Sequence, residues 1–193
     1  MKLGLQALYI YPMKKLTLLF ILLAPFIAHA QQSQIEWISI EEAQKRMKDE
    51  PRKIMMDVYT EWCGPCKMMM KNTFSNADVI AYVNANYYAV KFNAEAPEPI
   101  KFKNETFENP DYDPARKGRN GVHAFARFMR VNAYPTIVYI DQDLNLLNGD
   151  PGYKTPTQIE LMLKFFAQED YQEITTQEEW QKYQTDFKPT FKE

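Results

Sequence analysis

Residues 60–70 read TEWCGPCKMMM and hold both cysteines of a 193-residue chain. Two thiols set two residues apart can be a staple, a metal clip or a reactive couple. The flanking residues bear on the choice. Lys53 to Tyr59, KIMMDVY, is an apolar run with one carboxylate inside it. Such a run suits a strand buried on both faces. The cysteine motif follows at once and should open a helix through about Asn72. Cys63 then stands where a strand ends and a helix begins, and Cys66 lies nearly one turn further on.

A staple is a poor use of this pair. A structural disulfide gains most by closing a long loop, and this one would close a very small ring. Zinc usually takes four Cys or His ligands. Beyond the leader described below, the chain offers only Cys63, Cys66 and His123. His123 is expected on a helix surface, so no metal site is assigned. The helix N-terminus favours the third use. A free cysteine titrates near ~8.5, and in Cys-x-x-Cys at a helix start this falls to roughly 3.5–7.5. Unpaired amides and the positive end of the helix dipole favour the Cys63 anion. Cys66 is within reach of its sulfur, so the pair can cycle between the Cys63–Cys66 disulfide and the dithiol. Gly64-Pro65 lets the turn form and fixes φ in the first helical turn.

Asp57 sits six residues before Cys63, inside the apolar run. Burial without a partner is expensive for a carboxylate and raises its pKa. That suits Asp57 to accept and return the proton of Cys66. Lys91, on the neighbouring strand, is expected near it. Tyr134-Pro135-Thr136 places a proline at the start of an apolar strand and is a candidate cis bond.

The remaining elements follow from capping and periodicity. Ile35 to Ile38 reads as a first strand. Ser39 with Glu42 is a capping box for a helix ending near Pro51. Ser75 is expected to cap a separate helix over NADVIAYVN, and Tyr88 to Asn93 reads as a second buried strand. Residues 94–121 are polar and rich in Pro and Asn. Ile100, Phe102 and Phe107 within them suggest a small hairpin, expected to stand on the same side as Cys63 and to limit which substrates reach it. Val122 to Val131 has helical spacing. Thr136 to Ile140 and Leu144 to Leu147 read as strands joined through Asp141-Gln142-Asp143. Thr155-Pro156-Thr157-Gln158 opens a helix to about Gln168, and one more helix, capped by Thr175 or Thr176, falls within residues 171–193. This order implies one mixed sheet with helices on both faces.

Residues 13–30 have the order of a secretory signal: Lys14-Lys15, an apolar run from Leu16 to Ile27, then Ala28-His29-Ala30. The apolar run is shorter than the ~20 residues of a membrane span. The reading is an exported protein, periplasmic or secreted, cut after Ala30, with Met13 as the better start. Three of the 23 basic residues (Lys2, Lys14, Lys15) fall within residues 1–30, leaving 20 against 25 acidic side chains after the cut, a formal charge of −5. No basic run marks a nucleic-acid surface. Residues 31–170 are read as one domain with the 94–121 insert, and residues 171–193 as a helical extension.

These residues carry a resemblance. Trp62-Cys63-Gly64-Pro65-Cys66-Lys67 matches the thioredoxin active site letter for letter. Asp57, Lys91 and Tyr134-Pro135-Thr136 fall where that family has its buried acid, its lysine and its cis-proline. NTFSNADVIAYVN is more similar to exported thioredoxin-fold proteins related to the C-terminal domain of the thiol-disulfide interchange reductase. Some of those carry an acid four residues after the second cysteine, where this chain has Met70. The resemblance covers about Trp37 to Gln168. It implies an α/β thioredoxin fold, with an insert between the third strand and the next helix and a C-terminal helical extension. It implies a protein-disulfide reductase or interchange oxidoreductase with Cys63, Cys66 and Asp57 as catalytic residues and Lys91 in support. Trp62, Gly64, Pro65, Tyr134 and Pro135 would form the substrate surface. Disulfide-containing proteins would be substrates of a monomer that needs no cofactor, and export implies a membrane-embedded electron donor. Oxidase or isomerase action is the alternative direction. A non-catalytic binding module is the other rival, and the intact Cys63, Cys66, Asp57 and Pro135 argue against it.

Overall fold

The computed structural model describes residues 34–193. The expected leader, residues 1–30, lies outside them. Among the described residues no helix is long and apolar enough to cross a membrane.

The chain runs β1 (Trp37–Ile38), α1 (Ile40–Arg46), β2 (Lys53–Tyr59), α2 (Gly64–Asn72), α3 (Ala77–Asn86), β3 (Tyr87–Asn93), β4 (Ile100–Phe102) and β5 (Glu105–Phe107). It continues with α4 (Ala124–Phe128), β6 (Thr136–Ile140), β7 (Leu146–Pro151), α5 (Pro156–Ala167), a 3-10 turn (Asp170–Gln172) and α6 (Gln177–Asp186). The main sheet has the order β1-β3-β2-β6-β7. β1, β2 and β3 are parallel, while β6 and β7 run antiparallel to their neighbours. This is the mixed α/β architecture of thioredoxin-like proteins.

β2 lies in the middle of the sheet and is covered on both faces. Met56 and Val58 pack with Ile40, Val90, Phe92 and Phe125 on the side of α1 and α4. Met55 packs with Met69, Val79, Ile137 and Leu163 on the side of α2, α3 and α5. Strand alternation puts Asp57 on the Met55 side, beneath the helix that carries the cysteines.

Several boundaries differ from the sequence reading, each for a local reason. Asn76 rather than Ser75 caps α3: its Oδ1 accepts from Asp78 N at 2.9 Å and Val79 N at 3.2 Å. The Ser75 hydroxyl instead donates back to the Lys71 carbonyl, closing the end of α2. β7 begins at Leu146 rather than Leu144, because Asp141 Oδ1 accepts from Asp143 N and Asn145 N and extends the turn. Leu144 sits in that turn at φ 63°. Only Trp37 and Ile38 of the first strand pair with β3, and α1 ends at Arg46, before the Pro51 region.

The 94–121 insert contains a hairpin, β4 with β5. It does not stand at the cysteines. Gln44 Nε2 donates to Lys101 O at 2.8 Å and Lys103 N donates to Gln44 Oε1 at 2.7 Å, so the hairpin lies along α1. Its rings Phe102 and Phe107 meet Phe125 and Phe128 of α4. His123 is not a helix-surface residue. It is fully buried and caps α4, its Nδ1 accepting from Phe125 N at 3.0 Å and its Nε2 donating to Glu98 O at 3.1 Å.

The C-terminal extension packs on α5. Trp180 and Tyr183 of α6 lie 4.9 Å and 5.2 Å from the Phe165 ring. Beyond α6 the chain returns to Glu160, which is fully buried. Its carboxylate accepts from Thr190 N, Thr190 Oγ1 and Phe191 N, and pairs with Lys164 at 2.6 Å. Removing it strands two backbone amides and takes away the ion-pair partner of Lys164. Glu160→Ala is expected to lower unfolding free energy by about 3 kcal/mol in urea denaturation and to expose residues 187–193 to protease. A loss under about 1 kcal/mol would show that the tail's other contacts, its aromatic packing and the hydrogen bonds of Lys192 with Asn76 and Asp78, hold it without Glu160.

Candidate redox site

The end of β2 delivers the motif. Cys63 N donates to Thr60 O at 3.1 Å, turning the chain out of the strand. Cys63 is the N-cap of α2, with backbone φ −74° and ψ 103°, and its Sγ accepts from Cys66 N at 3.1 Å. The cap sulfur therefore occupies the position where an unpaired helix amide and the positive dipole end favour an anion. Pro65 at the start of the helix gives up no bond, because amides there have no intrahelical partner. Cys63 and Cys66 are joined as a disulfide.

Exposure does not separate the two cysteines in this oxidised form. Cys63 is 2% and Cys66 3% exposed. Both are buried, so their difference lies in position along the helix and not in accessibility. The surface next to them is open: Trp62, Gly64 and Pro65 are exposed, and a side chain at Gly64 would meet nothing within 4 Å.

Asp57 is 1% exposed, and neither carboxylate oxygen has a hydrogen-bond partner. Burial pushes its carboxyl up to about 7, and Lys91 pulls in the opposite direction. Lys91 is its register partner across β2 and β3, so both side chains leave the same face of the sheet. The Lys91 ammonium also lies 4.5 Å from the centre of the Tyr59 ring. A small cavity beside Cys66 is lined by Tyr59, Thr60, Glu61, Lys67, Met70 and Lys91. Thr60 Oγ1 is buried there without a partner. Water has room to enter on the Cys66 side, next to Lys91. Met70, standing where some interchange-reductase domains have an acid, lines the same space and adds no titratable group.

The Tyr134–Pro135 bond is cis. Tyr134 meets Trp62 edge-on at 5.9 Å, which brings this turn against the cysteine motif. The Pro135 carbonyl accepts from Gly152 N at 2.8 Å. The structure thus gathers Asp57, Trp62, Cys63, Gly64, Pro65, Cys66, Lys91, Tyr134 and Pro135 around one edge of the sheet. It adds two residues that the sequence reading left out. Glu95 accepts from Trp62 Nε1 at 2.9 Å, and the Arg119 guanidinium lies 4.2 Å over the Trp62 ring. The only sequence signal for either was its place in the insert. Among the described residues no three His, Cys, Asp or Glu side chains converge as a metal site would need.

A Cys-x-x-Cys pair capping the helix that follows a buried central strand defines a thiol–disulfide redox centre of the thioredoxin type. The family model for the thioredoxin-like domain matches residues 40–167, and the chain belongs to that family. No curated protein matches the chain. Among solved structures it is similar to a thioredoxin-fold protein from Helicobacter pylori, at 16% identity and TM-score 0.54, over 75% of this chain and 94% of that one. It is also similar to a thioredoxin from Thermus thermophilus, at 17% identity and TM-score 0.51, over 69% of this chain and 87% of that one. At such identities the likeness concerns the fold.

The raised carboxyl of Asp57 has a measurable consequence. Between about pH 4 and pH 7 the unfolded chain releases this proton while the folded chain keeps it, so stability falls as pH rises through that window. The full penalty at pH 8 is on the order of 4 kcal/mol. Asp57→Asn removes it. The difference in unfolding free energy between variant and parent should move in the variant's favour from pH 4.5 to pH 8. A difference constant across that range would mean that Asp57 ionises as readily in the fold as outside it.

Proposed function

We propose that the protein is an exported thiol–disulfide oxidoreductase that reduces or exchanges disulfides in other proteins. The observation that carries this reading is Cys63 Sγ accepting the Cys66 amide at the start of α2. In the reduced state that amide and the dipole behind it hold the Cys63 thiolate. The thiolate attacks one sulfur of a substrate disulfide, the substrate S–S bond breaks, and the other substrate sulfur leaves and takes up a proton. Cys63 is then joined to the substrate. Cys66 loses its proton and attacks Cys63 Sγ, releasing the second substrate thiol and forming Cys63–Cys66. Two electrons pass to the substrate. Asp57, buried beneath α2 with a carboxyl raised to about 7, is suited to take the Cys66 proton near neutral pH and return it through the water-accessible side next to Lys91.

An external dithiol must then reduce Cys63–Cys66, and in an exported setting a membrane-embedded donor is the natural source. Gly64-Pro65 between the cysteines resembles reducing thioredoxins and favours this direction of flow. Tyr134 and Pro135, against Trp62, form the other wall of the substrate surface.

Trapping tests the assignment. Cys66→Ala should hold a substrate protein on Cys63 as a mixed disulfide, released by dithiothreitol. Cys63→Ser should trap nothing and lose turnover of an oxidised peptide by more than a hundredfold. Trapping through Cys66 in the Cys63→Ser protein would reverse the roles. Export has its own measurement: secreted or periplasmic material should have the intact mass of a chain beginning at Gln31. A mass that retains Leu16 to Ala30 would argue for a tether.

A further inference from the structure

The insert is a held platform. Ala94 N donates to Tyr59 O and His123 N donates to Ala94 O, both at 2.8 Å, anchoring both ends of the insert beside β2. Asn109 Nδ2 donates to Ala96 O at 3.1 Å and to Gly121 O at 2.8 Å, tying the two arms together. Gly121 is needed at this neck, because a Cβ there would stand 2.4 Å from the Asp111 backbone. A smaller loop over residues 113–120 is closed in turn by Asn120. Its Oδ1 accepts from Asp113 N and its Nδ2 donates to Asp113 O, both at 2.8 Å. This loop exposes Arg116, Lys117 and Arg119.

Of the three, Arg119 reaches the redox site, its guanidinium 4.2 Å over the Trp62 indole. The indole also meets Glu95 at Nε1 and the Tyr134 ring, nearly perpendicular to it. Trp62 is 37% exposed and adjoins Cys63, so whatever docks at the disulfide meets this pair. A guanidinium held over an indole by cation–π attraction still has its N–H donors to offer. Among the described residues Arg119 makes no hydrogen bond and no ion pair. A planar fork of donors, fixed beside a nucleophile and without an acceptor, matches a carboxylate.

We propose that Arg119, placed over Trp62, determines specificity by receiving an acidic side chain that flanks the substrate's disulfide cysteine. This inference rests on the thiol–disulfide reading and narrows its substrate class to acidic polypeptide segments. Arg116 and Lys117 add to the field that draws such a segment in.

The test uses the reduced full-length protein and three oxidised peptides of one disulfide, flanked by Glu, Gln or Lys. At low salt the parent should favour the Glu over the Gln peptide in kcat/KM by about fivefold. Added sodium chloride should shrink that ratio. Arg119→Gln should bring the ratio close to one, and Arg119→Glu should turn the preference to the Lys peptide. Reduction of hydroxyethyl disulfide by the parent, run in parallel, reports the redox reading alone. If that disulfide and all three peptides stay oxidised, the redox reading fails and the recognition proposal falls with it. If hydroxyethyl disulfide is reduced while the parent ignores peptide charge, or Arg119→Gln keeps the full ratio, the recognition proposal is overturned and the redox reading stands.

Discussion

The molecule is organised by a strand that has no free side. β2 is hydrogen-bonded to β3 on one edge and β6 on the other, and apolar layers cover both its faces. Every side chain from Lys53 to Val58 is buried. A strand so confined cannot slip by one residue without turning a whole layer to the wrong face. Its last residues therefore emerge at a fixed place, and the turn through Thr60 and Cys63 puts a sulfur at the head of α2. The chemistry of the site is inherited from that rigidity.

Asp57 belongs to the same confinement. On an edge strand its carboxylate would turn to water. In β2 it faces α2 with neither oxygen bonded, and the resulting preference for the protonated form makes it responsive near neutral pH. Lys91 moderates that preference from the next strand. The fold thus accepts a destabilising group on the face that also supports Cys66. Its stability comes from elsewhere: from the two apolar layers, and from an extension whose aromatic rings and Glu160 hold the chain end against α5.

The insert shows how a family scaffold acquires individual features. Its hairpin is absorbed into the α1 and α4 layer, where Phe102 and Phe107 extend the core. The rest arches back to Trp62. His123, buried and bonded to Glu98, fixes the point where the insert rejoins α4. Burial holds its pKa below the ordinary histidine value, so the neutral ring that makes both bonds is the favoured form.

The sequence by itself determined what depends on near neighbours. KIMMDVY specified β2 to the residue, Thr155-Pro156 specified the start of α5, and Cys-Gly-Pro-Cys specified a sulfur at a helix cap. Burial pattern, capping and proline geometry are local, and each can be read within a few positions. Choices between similar local options were less legible. Ser75 and Asn76 can both cap a helix, and the Lys71 carbonyl engaged the first. Tertiary structure alone decided that His123 is buried and bonded to Glu98, and that Glu95 and Arg119 close on Trp62. Those contacts join residues far apart in the chain. They exist because β2 and β3 end at the same edge of the sheet, and no local pattern encodes which distant side chain that edge will meet.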